Sequence, residues 1–231
     1  MRIEVENDEI RARKKQEYED LVVEMDKKGF EARLEKISVL TANLYGIVLF
    51  FIAGFISFGI YVLVHGGDGV LAKAFYLEGP GGVLFFFVIY CVTIFVHEFI
   101  HGFFWHFHCE KKWGSIDFGF NPKNITPYCH CCEALTVRQY FWGCIAPTLL
   151  LGVVPIIIGI VIAFPFLVTI GVIGVVGGIG DMMVVATLRK HKDCALFDHP
   201  YEVGYAYFVK SGSGSSDKKE ENAESTEENE N

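Results

Sequence analysis

The sequence predicts an all-α integral membrane bundle of about four transmembrane helices with a small cytoplasmic β-hairpin. Three observations predict it. The 231-residue chain is 52% hydrophobic and holds 21 Phe, more apolar than a soluble domain of this length usually is. The apolar residues lie in a few long runs without charge. Between the second and third runs lies a polar loop with strand-like alternation.

Residues 1–38 come first, with nine Lys and Arg against 11 acids. This stretch is charged and helix-forming, too polar for the apolar region of a signal peptide, and reads as a cytoplasmic N-terminal segment. Crossing a hydrocarbon core takes about 20 apolar residues. Four stretches suffice: 39–64, 82–108, 140–163 and 166–188, the last two separated by little more than Pro165. Helices are expected because in lipid they satisfy their own backbone.

Basic residues orient the runs. Loop 65–81 carries only Lys73, whereas loop 109–139 has Lys111, Lys112, Lys123 and Arg138, and Arg189, Lys190 and Lys192 follow the fourth run. The positive-inside rule then places both termini and loop 109–139 in the cytoplasm of a multi-pass protein, expected in the plasma membrane. In that loop SIDFGF (115–120) alternates, Asn121-Pro122 signals a turn, and ITPYCHCC (125–132) returns as a hairpin. Residues 194–208 read as a second short strand pair. Residues 211–231 hold seven acids and two Lys with no large apolar group, so 209–231 is expected to be a disordered acidic tail. The intervening 39–208 forms the membrane domain. Membrane lipid is the implied partner, and nothing points to nucleic acid. Seven Cys, several in or near apolar runs, do not make a secreted disulfide framework.

The chemistry sits in the second run. His97, Glu98 and His101 form His-Glu-x-x-His. Four residues apart on a helix is one face, so both imidazoles reach a single metal. Glu98 lies about 100° round the helix, beside that metal, placed to take a proton from water. Ionisable groups inside a membrane helix cost about 2–3 kcal/mol each at mid-depth and need a reason to be there. The bland reading is a hydrogen-bonded polar cluster between helices.

A catalytic zinc has three protein ligands and one open position. A metzincin extension needs Gly at 104 and His at 107, where this chain has Phe104 and Phe107. Asp181 is the candidate third ligand, the charged residue of the fourth run. His101 lies 10 residues before Lys111 and Asp181 lies 8 before Arg189. At about 1.5 Å per residue, these are matching depths of about 15 and 12 Å. Gly174, Gly177, Gly178 and Gly180 favour close helix approach. Asp181 could instead orient a His through a hydrogen bond. Asp198 and His199 are the alternative source of a third ligand.

His97–His101 in one run and Gly180-Asp181 two runs later resemble the core of site-2 proteases, in which such an Asp completes the zinc site. The stretch 93–208 is more similar to the family of putative zincin peptidases in membranes. HEFIHGFFW, the FGF at 118–120, Ala146-Pro147, Gly180-Asp181, and Asp198-His199-Pro200 with Gly204 beyond carry the likeness. Gly-Ile-Gly-Asp-Met departs from the Asn-Pro that precedes Asp-Gly in the site-2 signature.

Other polar residues allow several readings. Cys129-His130-Cys131-Cys132, with Cys109 nearby, could bind a second metal, offer His130 as a transition-state donor, or be a plain reduced loop. His108 is about 10 Å beyond His101, too far to share its metal. His106 is expected at the headgroups, and Trp105, Trp113 and Trp142 as interface anchors. The reading is a zinc-dependent intramembrane peptidase, with Zn²⁺ on His97, His101 and Asp181, Glu98 as base, and a peptide or membrane-protein substrate. Two rivals use the same ligands: a membrane zinc hydrolase of a non-peptide substrate, and a non-enzymatic membrane metal-binding or transport subunit.

Overall fold

The computed structural model describes residues 1–75, 81–122, 126–191, 194–200 and 203–211. In chain order the elements are β1 (Arg2–Val5), α1 (Asp8–Lys27), β2 (Phe30–Lys36), α2 (Val39–His65), α3 (Val70–Ala74), α4 (Gly82–His106), β3 (Ile116–Asn121), β4 (Thr126–Cys131), β5 (Leu135–Thr136), α5 (Val137–Pro147), α6 (Val154–Val161), α7 (Pro165–Gly177), α8 (Ile179–Leu188), β6 (Ala195–Asp198) and β7 (Gly204–Lys210). The expected tail beyond residue 211 lies outside the described residues.

Among the described residues three helical runs are long and apolar enough to cross a membrane: α2, α4, and the continuous stretch Val137–Val161. Their apolar side chains mostly face outward, with Phe55 83% and Leu63 86% exposed. Water does not tolerate a sheath of that kind, whereas lipid does. The third run starts at a capping box, in which Thr136 accepts from the Gln139 N–H and Gln139 accepts from the Thr136 N–H. Pro147 has no N–H to give, and the helix widens into a π-turn over Thr148–Val153 directly after it.

The fourth apolar stretch is broken. α7 and α8 meet at Gly178 with a bend of 47°. Adjacent Gly177 and Gly178 are weak helix formers, and neither supplies a side chain to hold a straight helix. Gly178 also fits tightly, because a Cβ there would lie 1.9 Å from Thr148 Oγ1. The bend aims the start of α8 at α4. α2 closes over the same region, with Gly46 against Ile179 and Val176.

The strand content exceeds the hairpin and second short strand pair expected in a mostly helical chain. The hairpin itself is present, β3 antiparallel to β4 from Ile116↔Cys131 to Asn121↔Thr126. β6 and β7 form the second antiparallel pair. Two further strands come from the N-terminal segment: β1 adds parallel to β3, and β2 adds antiparallel to β7. The sheets have strand orders β1-β3-β4 and β2-β7-β6-β5. The strands of residues 1–38 are therefore woven into both sheets, with α1 between them in sequence. The charged residues of β1 and β2 hid them, because their pairing partners lie about 115 and 175 positions away in sequence.

Buried charge holds this N-terminal unit. The Asp117 side chain is 1% exposed and takes Arg2 Nε at 2.7 Å and an Arg13 guanidinium nitrogen at 3.3 Å. Arg13 also forks onto Glu4, at 2.7 and 2.9 Å. The apolar core beneath the sheets includes Ile116, Leu135, Leu196 and Tyr205, each no more than 2% exposed.

Candidate metal centre

α4 carries His97, Glu98 and His101 toward α8, with His101 five residues before the helix ends at His106. Asp181 is the third residue of α8. The bend at Gly178 brings them together. His97 Nε2 lies 3.1 Å from Asp181 Oδ2 and 3.1 Å from His101 Nε2, and His101 Nε2 lies 3.5 Å from Asp181 Oδ1. Among the described residues this is the one group of three or more His, Cys, Asp or Glu whose ligand atoms converge, all within 4.8 Å of each other.

The spacing is of the size a zinc site needs. Bonds of about 2.0–2.1 Å at tetrahedral angles put neighbouring ligand atoms about 3.3 Å apart; the two Nε2 atoms are 3.1 Å apart, and each imidazole reaches a different oxygen of Asp181, at 3.1 and 3.5 Å. The chemistry of the donors agrees. His101 Nδ1 lies 2.9 Å from the Gly143 carbonyl. With the ring proton donated there, Nε2 keeps a lone pair. That lone pair faces a carboxylate and a second imidazole, an arrangement that asks for a cation.

The support behind His101 escaped the sequence reading. Trp105, expected at the membrane interface, is 4% exposed and stacks on His101 with ring centroids 5.3 Å apart. Its other neighbour is Tyr140, also at 5.3 Å, and its Nε1–H donates to the Tyr140 carbonyl at 3.4 Å. Gly143 makes this possible, because a Cβ there would sit 1.8 Å from Trp105 Nε1. The i+4 spacing from His101 to Trp105 was the available signal. His106 is also corrected. It is buried and stacks on Trp113 at 4.1 Å, held by the loop that folds back after α4.

Glu98 faces the β3–β4 hairpin, next to the backbone amide of Cys129. The hairpin comes this close because residue 102 is glycine; a Cβ there would meet Phe118 at 2.5 Å and Ile116 at 2.8 Å. His97, Glu98, His101 and Asp181 share a cavity of about 540 Å³ walled by the hairpin and by the β6–β7 end. A second, mainly apolar cavity of about 240 Å³ reaches His97 and Glu98 between α4 and α7. Gly177 lines both cavities, and a Cβ on it would meet nothing.

The alternative ligands are engaged elsewhere. Asp198 accepts from Tyr140 and from the Cys131 N–H and faces His130, while the His199 ring packs edge-on to Tyr18. The cysteine-rich run divides. Cys131 Sγ lies 3.5 Å from Cys109 Sγ as free thiols, Cys129 packs on Gly102, and Cys132 reaches Asp117. Burial, with Asp117 beside it, pushes the Cys132 thiol up to about 12, away from thiolate chemistry. No second metal cluster forms from these residues among those described.

No curated protein and no solved structure matches the chain. A family model matches residues 90–196, which hold all four residues of the centre. The family so matched is described as putative zincin peptidase, and it is this segment of the chain that is similar to it.

Proposed function

We propose that this protein is a zinc-dependent intramembrane peptidase with His97, His101 and Asp181 as metal ligands and Glu98 as the general base. The carrying observation is the convergence of two Nε2 atoms and a carboxylate at 3.1–3.5 Å, drawn from two apolar helical segments. The family match to zincin peptidases supports the choice of zinc and of peptide hydrolysis. In this reading α2, α4, Val137–Val161 and the bent α7–α8 pair cross the plasma membrane, with both termini and the sheets in the cytoplasm.

Bound zinc supplies acidified water and a polarised carbonyl. The protein's own residues do the rest. Glu98 removes a proton from the attacking water and passes it to the departing amide nitrogen. Trp105 and the Gly143 carbonyl hold His101 in one orientation. The apolar groove between α4 and α7 gives an apolar substrate segment a path to Glu98. A peptide must be extended to be cut, and β4 is the edge strand of its sheet, where a substrate strand would add in place of the contacts that Glu98 and Asp198 make to the Cys129 and Cys131 amides. Proline substitutions along that edge that leave turnover intact would argue against strand addition.

The test is zinc content and turnover of the purified full chain. Wild type is expected to hold one zinc and to hydrolyse a labelled casein probe. Glu98→Gln should keep the zinc and lose hydrolysis. If Glu98→Gln works as well as wild type, the peptidase reading fails and a metal-binding or transport role replaces it. Hydrolysis confined to a lipid panel would instead favour the non-peptide hydrolase.

A further inference from the structure

A second imidazole–carboxylate pair stands on the wall of the cavity that holds the metal centre, and the proposed mechanism leaves it unused. His130 Nδ1 lies 3.0 Å from Asp198 Oδ2. Asp198 Oδ1 accepts from Tyr140 OH at 3.1 Å, and Oδ2 takes the Cys131 N–H at 3.4 Å. Both carboxylate oxygens are thus committed to positioning. His130 is only 5% exposed yet lines the cavity together with His97, Glu98, His101 and Asp181. Its Nδ1 is taken by Asp198, and Nε2 has no hydrogen-bond partner among the described residues. A buried ring held this way has one atom left to offer, and the space it borders is the substrate's.

The pair and the metal centre are built on one row of stacked groups. Trp105 stacks on His101 and on Tyr140, and Tyr140 holds Asp198, which holds His130. Such a row fixes the separation between a ligand on α4 and a donor on β4, which a catalytic constellation requires.

Resting on the peptidase reading above, we infer that His130, in its doubly protonated form, donates Nε2–H to the oxygen of the scissile carbonyl, and that Asp198 is its positioning residue. As the water oxygen bonds to the carbonyl carbon, the π pair moves onto the carbonyl oxygen and the water's proton moves to Glu98. His130 donates a hydrogen bond to that oxygen and keeps its proton. When the C–N bond breaks, the pair re-forms the carbonyl and the nitrogen leaves with the proton Glu98 carried. His130 ends as it began. A donor aimed at developing charge contributes about 10²–10³ in kcat.

The test uses the zinc-loaded full chain with three probes: labelled casein, a dipeptidyl phosphonamidate, which copies the tetrahedral, charged reacting centre, and a hydroxamate with the same side chains, which grips the metal without that centre. His130→Ala should lower kcat on casein about 10²-fold with KM within about threefold, and weaken the phosphonamidate by about the same factor. Zinc content and hydroxamate affinity should stay unchanged. Asp198→Asn should follow the same pattern at about tenfold. If His130→Ala does not fold, His130→Gln keeps the size and a neutral N–H, and a loss of about tenfold confined to kcat and the phosphonamidate is expected. Unchanged turnover, or equal weakening of both inhibitors, overturns the inference while an inactive Glu98→Gln leaves the peptidase reading standing. A wild type that holds zinc but cleaves no casein and binds neither inhibitor overturns both.

Discussion

Asp117 and Asp181 are both carboxylates largely withdrawn from water, yet they sit in opposite surroundings. Asp117, in the β1-β3-β4 sheet, meets two guanidinium groups, Arg2 at 2.7 Å and Arg13 at 3.3 Å. Arginine is always charged, so the protein itself completes that site. Asp181, between the apolar helices, meets two imidazoles whose Nε2 atoms also face one another. Imidazole in its neutral form is a base rather than a cation, so this site is left one positive charge short. The difference separates a carboxylate that joins two pieces of the fold from one that we propose binds an ion. The identity of the partner decides it, although the Asp117 side chain is 1% exposed and that of Asp181 is 24%.

The largest effect that can break this contrast is at the centre itself. Asp181→Ala or His101→Ala should remove zinc from the purified protein and abolish hydrolysis, read by elemental analysis and casein turnover. Zinc retained at full stoichiometry in Asp181→Ala would erase the distinction between the two aspartates. Next comes Glu98→Gln, expected to lower turnover by about 10²–10⁴ with zinc still bound.

Asp117→Ala should act the other way round. Breaking a buried pair costs about 3 kcal/mol here, the low end of the usual range because both arginines keep access to solvent. Denaturant unfolding should show that loss while the folded fraction keeps its zinc. Gly143→Ala sharpens the comparison within the helices. Its Cβ would collide with Trp105, and displacing the support of His101 should weaken zinc by about tenfold in a competition titration.

The smallest effect is a pH dependence. The Arg13 fork holds the Glu4 carboxyl below its ordinary value of 4.5. A depressed carboxyl stabilises the fold above its unfolded pKa, and that contribution is lost as pH falls through the folded value. The thermal midpoint of wild type should therefore drop more on acidification below about pH 4.5 than that of Glu4→Gln.

Legibility in the sequence followed the range of the interactions. His97, Glu98 and His101 were readable because one helical turn brings them together without help from the rest of the chain. The apolar runs were readable because length and absence of charge are local properties, and the β3–β4 hairpin was readable from alternation around Asn121-Pro122. Asp181 was approached by matching depths along two helices, an argument that needed the orientation of both. The strands β1 and β2 gave no such signal. Trp105 looked like an interfacial anchor because its stacking partners come from two different helices.

The amino-acid order alone determined the grouping of His97, Glu98 and His101 and the lengths of the apolar helices, since backbone geometry relates residues one to four apart in any surroundings. Only the tertiary structure decided that α7–α8 bends at Gly178 to carry Asp181 onto the two histidines. It also decided that β1 and β2 complete the sheets, and that Asp198 pairs with His130 rather than joining His97 and His101. Those choices depend on close contacts between segments up to about 180 residues apart, and such contacts have no counterpart in local spacing.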